Sequence, residues 1–139
     1  MTRLSLEPSH AAAPADTPLH LGLLFLRLSG SALLIAVHGL PKVLHYSQEL
    51  TRIEDPFHMG AAPTLLLAIL SETLCPLLVA LGVLTRLACL PIVATLLVAM
   101  LVVHPDWSLV DGQFGWMLLI IFTTVLIAGP GRFSIFPKY

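Results

Sequence analysis

Apolar residues run along this chain in four blocks, separated by short clusters of Gly, Pro, His and charge. The first block extends from about Leu19 to Pro41 and the second from about Ala61 to Gly82. The third runs from about Leu87 to His104 and the fourth from about Gln113 to Gly129. A helix that crosses the hydrocarbon of a bilayer needs about 20 mostly apolar residues. The blocks therefore predict an all-α membrane protein, a four-helix transmembrane bundle whose last two spans are slightly short. Gly82-Val83-Leu84-Thr85-Arg86 reads as a tight hairpin, and His104-Pro105-Asp106 stops the third block. Asp111-Gly112 precedes the fourth, which ends at Gly129-Pro130-Gly131, since proline and glycine do not continue a helix cheaply. Pro76 falls inside the second block, where a kink is tolerated if neighbours satisfy the freed carbonyl.

Between the first two blocks, Val43, Tyr46, Leu50, Ile53 and Phe57 recur at steps of three or four among polar residues. That spacing predicts a short amphipathic helix lying at the membrane interface after the first span. The opening segment, Met1 to Pro18, is rich in Ser, Pro and Ala and predicts a disordered tail. It is followed by an apolar block too long for a signal peptide and interrupted by Arg27. Residues 19–136 then form one transmembrane domain.

Composition supports the same reading. Only 11% of the residues are charged, against about 25% in soluble domains that must cover themselves with a hydrated surface. A net charge of −1 leaves no basic footprint for nucleic acid. Four spans put both termini and the 82–86 turn on one side with Arg3, Arg86, Arg132 and Lys138. Lys42 and Arg52 remain on the other. The excess of positive charge makes the first side cytoplasmic. Cys75 and Cys89 read as small core residues at depths several helical steps apart, not as a disulfide framework.

Two charges lie well inside the blocks, where an ionisable group facing lipid costs about 2.5–3.5 kcal/mol on insertion scales. Arg27 is about eight residues into the first span and Glu72 about eleven into the second. Antiparallel spans bring them toward one level, so the two are expected to pair. The pair would either lock the packing or hold a carboxylate ready to accept a proton or ligand.

Nearer the far end, His38, Lys42 and His45 share a helix face. His104 closes the third span and Gln113 opens the fourth at a similar level. His38, Lys42, His104 and Gln113 are candidate ligand-binding residues for a quinone head group, a small anion or a metal. A soft metal such as Cu(I) would suit Met100 with His38, His45 and His104, but no His-x-x-x-His or Cys-x-x-Cys pair lies on one element, so a metal is not favoured. Trp107 and Trp116 read as interfacial belt residues. No nucleophile elbow, phosphate loop, dinucleotide fingerprint or metalloprotease helix is present, so motifs do not make the chain an enzyme.

Arg27, then His38-Gly39-x-x-Lys42, then Glu72, Gly82-x-x-Thr85-Arg86 and Gly129-Pro130-Gly131-Arg132-x-Ser134 follow one another through the four blocks. In that order they resemble the DoxX family of small bacterial membrane proteins, over about residues 20–136. Where the family pattern often continues the final serine with Leu-Asp, this chain reads Ile135-Phe136. The resemblance implies a four-helix protein of the bacterial cytoplasmic membrane. It also implies a link to sulfur and thiol redox chemistry, since the related DoxD is similar to a subunit of a thiosulfate:quinone oxidoreductase. Three functions follow as alternatives: a membrane subunit of a redox system with quinone as a ligand, a non-catalytic accessory or scaffold protein for a partner, and a small-molecule or metal transporter acting as a homo-oligomer.

Overall fold

The computed structural model describes residues 16–135, and every regular element among them is helical. Helix α1 spans Thr17–Leu44, and the single turn α2 spans Tyr46–Glu49. Helices α3 (Ala61–Leu81) and α4 (Thr85–Val103) form a hairpin, and α5 (Gln113–Ala128) returns beside both α4 and α1. The long helices close into a ring in which α1 packs on α3 and α5, and α4 packs on the same two. Helices α1, α3 and α4 are long and apolar enough to cross a membrane, while α5 is apolar but has only 16 residues. The core runs down the centre through Leu34, Val79, Cys89, Ile92, Leu118, Phe122 and Val125. Large apolar side chains on the outward faces stay exposed, including Phe25, Leu66, Leu90 and Ile120. That distribution suits a solvent of acyl chains.

Most of the tail expected over Met1–Pro18 lies outside the described residues. Its last two residues belong to α1, where Pro18 occupies the first turn and its missing N–H costs nothing. The amphipathic helix expected over 43–60 shrinks to α2. Val43 still belongs to α1, the backbone breaks at His45 (φ −116°, ψ 34°), and residues 50–60 form turns. The competitor is Asp55. Its carboxylate accepts hydrogen bonds from Met59 N (3.0 Å), Gly60 N (2.6 Å) and Thr64 Oγ1 (2.9 Å), tying the loop to the first turn of α3. A carboxylate that collects backbone N–H groups offers the chain an alternative to helix.

Three of the long helices contain a widened π-helical turn: Ile35–Gly39, Leu70–Leu74 and Ala99–Val103. Each ends two residues before a proline, respectively Pro41, Pro76 and Pro105. Proline brings no N–H to the carbonyl four residues back, and its ring presses against that carbonyl. Widening the preceding turn moves the obstructed carbonyl aside, and the N–H of the residue just before each proline closes the longer ring, as His104 N does onto Ala99 O (3.0 Å). Pro91 lies inside α4 without such a turn, so proline permits the widening and does not compel it.

For Pro76 the obstructed carbonyl is that of Glu72, and α1 meets it at Gly39. A methyl group on Gly39 would overlap Glu72 O and come within 2.6 Å of Thr73 Oγ1. Only glycine allows α1 and α3 to approach this closely. At nearly the same level, one residue before Glu72, Ser71 Oγ accepts a hydrogen bond from Thr95 Oγ1 of α4 (2.9 Å). This bond corrects the expected depths of the cysteines. Cys75 lies four residues beyond Ser71 and Cys89 six before Thr95, so the two differ by about 3 Å in depth. Cys75 packs against the core that contains Cys89, and both are free thiols.

The glycines give a paired test. Gly22 has nothing within 4 Å of an added methyl group, so Gly22→Ala should stabilise by up to about 1 kcal/mol through helix propensity. Gly39→Ala should destabilise by about 1–3 kcal/mol through overpacking. Thermal unfolding in detergent distinguishes them, and equal effects would place the close α1–α3 contact elsewhere. Asp55 gives a pH test. Its bond from Gly60 N, helped by Thr64 and Met59, holds its carboxyl below the ordinary 3.8. Its contribution to stability is therefore present above that ordinary value and lost as pH falls through the lower folded one. The stability gap between the parent and Asp55→Ala should stay constant from neutral pH to near 4 and close at lower pH.

Candidate functional site

Helix α1 carries both basic residues of the bundle interior, Arg27 and Lys42, 15 residues or about 22 Å apart along its axis. Side chains on a helix tilt toward its N-terminus, so each reaches back along α1, Arg27 toward the Gly82 end and Lys42 toward the middle. Register decides the pairing: Gly39 lies against the Glu72 backbone, three residues before Lys42 and twelve beyond Arg27, and the tilt brings the lysine back to the carboxylate. Lys42 Nζ meets Glu72 Oε2 at 2.5 Å, and Arg27 does not meet Glu72.

The expected Arg27–Glu72 pair is therefore corrected to Lys42–Glu72. Equal counts from the block edges do not put Arg27 and Glu72 at one level, because α1 packs with Gly39 against Glu72 and leaves Arg27 about 18 Å further along the axis, beyond the reach of an arginine. The Arg27 guanidinium ends where α3 ends. Nε donates to Val79 O (2.8 Å) and Nη2 to Ala80 O (2.9 Å), while Nη1 donates to Phe133 O (2.9 Å) and to Pro130 O. These four bonds occupy nearly all of a group with five N–H donors. Arg27 is 1% exposed. Its charge is balanced by the carbonyl end of a helix, the negative end of its dipole, and by two loop carbonyls. Gly82, in the left-handed region at φ 76°, closes α3 beneath it. A side chain there would overlap Ser134 and lie 2.6 Å from Arg27 Nη2. Arg86 Nη2 makes a similar bond to Ile127 O (3.1 Å), and Ile135 N donates to Leu81 O (3.2 Å). The Gly82-to-Arg86 and Gly129-to-Ser134 motifs thus form one structural knot around Arg27.

The second cluster lies at the widened turns. The turn of α1 holds His38 and Gly39, and that of α3 holds Glu72 and Thr73. The side chains of Lys42 and Glu72 are 16% and 13% exposed. His38 lies one helical turn before Lys42 on α1, and its ring centroid is 5.5 Å from that of Phe114 on α5. Thr73 Oγ1 is buried with no hydrogen-bond partner among the described residues. The cluster offers an ammonium donor, a carboxylate acceptor, an imidazole and an aromatic face, the equipment for binding a polar head group and moving a proton.

The other candidates do not join it. His104 stacks on Trp107, with ring centroids 3.9 Å apart and planes 3° from parallel. Gln113 and His45 are exposed, and Met100 is buried against Gly112 and Gly115 at the start of α5. Among the described residues no three His, Cys, Asp or Glu side chains converge as a metal site would require. Sequence reasoning named Lys42 and Glu72 but not their partnership, and it missed Thr73 and Phe114. The usable signal was Pro76, four residues after Glu72, which marks where α3 opens toward α1.

The two ties predict different mutational behaviour. Arg27→Leu leaves four carbonyls without donors and should cost about 3 kcal/mol or more. Arg27→Lys should recover little, because one ammonium cannot span acceptors on α3 and the C-terminal loop. Full rescue by lysine, read as the unfolding midpoint in detergent, would show that charge alone matters there.

The sequence profile of the DoxX family matches residues 22–105, more than half of the chain and including nearly all of α1 and the whole of α3 and α4. No curated protein and no solved structure matches the chain. The profile covers Arg27, His38-Gly39, Lys42, Glu72 and Gly82, the residues that build both ties, and the three helices long enough to cross a membrane. The chain belongs to the DoxX family and is an integral membrane protein.

Proposed function

We propose that this DoxX protein is a four-span protein of the bacterial cytoplasmic (inner) membrane with both termini inside, serving as the membrane subunit of a quinone- or thiol/sulfur-linked redox system. The observation that carries this reading is the Lys42–Glu72 ion pair, with His38 one turn before Lys42 on α1, set among widened turns. An ion pair in a low-dielectric interior is a poor way to gain stability, since desolvation offsets most of the attraction. Its retention fits a group that must hold and release a proton. The residues also fit a quinone head group. Lys42 has donors beyond the one facing Glu72, Thr73 Oγ1 lacks a partner, and Phe114 backs the His38 ring. Reduction of a quinone takes two electrons, drawn in this reading from a thiol- or sulfur-oxidising partner, and two protons, which Glu72 and His38 would pass on. The positive charges at the Gly82 end, Arg86 and Arg132, support placing that end in the cytoplasm.

Mass spectrometry of the protein purified in mild detergent tests the reading, with quinone, metal and co-purifying proteins scored together. A stoichiometric quinone is expected, and it should be lost in Glu72→Gln. That variant strands Lys42 and should destabilise by about 3 kcal/mol. The double variant Lys42→Met with Glu72→Gln removes both charges and should unfold near the parent temperature while still binding no quinone. Quinone retained in the folded double variant would remove the pair from the site. A protein that carries no quinone but recovers one constant partner would favour the accessory role.

A further inference from the structure

Helix α5 has 16 residues, about 24 Å of helix, against roughly 30 Å of bilayer hydrocarbon. Apolar groups beyond its ends must therefore lie in lipid if its surroundings are to match those of α3 and α4. The connection before it has such groups. Leu109 and Val110 are 79% and 80% exposed, more than any other large apolar side chain among the described residues, and Trp107 is 49% exposed. This tip is continuous with outward-facing Leu101 and Val102 on α4 and Met117 on α5.

Part of the turn's backbone bonds within the turn. Trp107 N donates to His104 O (3.2 Å), Gly112 N to Ser108 O (3.0 Å) and Gln113 N to Val110 O (3.4 Å). Ser108 Oγ donates to Asp111 Oδ2 (2.6 Å), Ser108 N reaches the same oxygen (3.3 Å), and Asp111 N donates to Ser108 Oγ (3.2 Å). Pro105 has no N–H to satisfy. These bonds meet part of the requirement lipid places on non-helical backbone, while the N–H groups of Asp106, Leu109 and Val110, which have no acceptor among the described residues, fit a boundary position within reach of headgroups and water. A loop held in water has no such requirement and no reason to present Leu109 and Val110 outward.

We propose that the Trp107–Val110 turn is inserted in the acyl-chain boundary of the leaflet at this end of the bundle, extending the short α5 to full membrane thickness. The partner of this surface is the lipid itself, and the inference does not depend on the redox reading. The full chain is reconstituted in phosphatidylcholine vesicles with Trp116→Phe, which leaves Trp107 as the sole tryptophan. Bromine on the acyl chain near its ester end should remove most of the Trp107 emission, and aqueous iodide should remove little. Adding Leu109→Asp and Val110→Asp should red-shift that emission and exchange lipid quenching for iodide quenching, with helicity unchanged. Should Trp116→Phe fold poorly, subtracting the emission of Trp107→Phe from that of the parent gives the same reading. Strong iodide quenching with no effect of brominated lipid in the parent sequence would place the turn in water and overturn the proposal, leaving the tip as a surface for a protein partner.

Discussion

A helix that ends inside or beside a bilayer leaves its last carbonyls without donors, and lipid supplies none. The guanidinium of Arg27 answers that constraint for two segments at once. It takes Val79 and Ala80 at the close of α3 and Pro130 and Phe133 in the loop after α5. Because the arginine is rooted in α1, three separate parts of the chain meet at one planar group. The geometry demands a glycine at position 82, where the chain turns in the left-handed region within reach of Nη2. It also holds the 130–135 loop against the α3–α4 hairpin. Without a hydrophobic force between helices in lipid, packing and buried polar bonds of this kind carry the association.

The Lys42–Glu72 tie, about 22 Å along α1, has a different character. Arg27 is saturated by carbonyls that cannot change protonation. Lys42 faces a carboxylate that can, and a histidine lies one turn before it on the same helix. Proline chemistry sets this up. Pro76 deprives the Glu72 carbonyl of its helical donor, the turn before it widens, and Gly39 lets α1 settle against the opened backbone. Widened turns are frequent where function needs a side chain placed off the regular helical path. One helix thus carries a fixed clamp at one end and a titratable pair nearer the other.

Much of this protein was determined by its sequence alone. Four apolar blocks ended by Gly, Pro and His specify the helices, because hydrocarbon tolerates only backbone that bonds to itself. The identity of the charged interior residues, and the family pattern they form, are equally legible in one dimension. Pairing is not. Arg27 and Glu72 lie at similar counts into their blocks, but packing sets Gly39 of α1 against Glu72, which leaves Arg27 about 18 Å away at the carbonyl end of α3 and brings Lys42 within reach of the carboxylate. The amphipathic spacing over 43–57 was a true pattern with only one turn of helix to express it, because the backbone breaks at His45 and the Asp55 carboxylate ties the end of the loop to the first turn of α3. The depths of Cys75 and Cys89 likewise depended on a register that the Ser71–Thr95 bond sets between helices. Local composition decided which segments are helical. Direction, reach and interhelical register decided which residues meet, because those quantities exist only once the helices are packed.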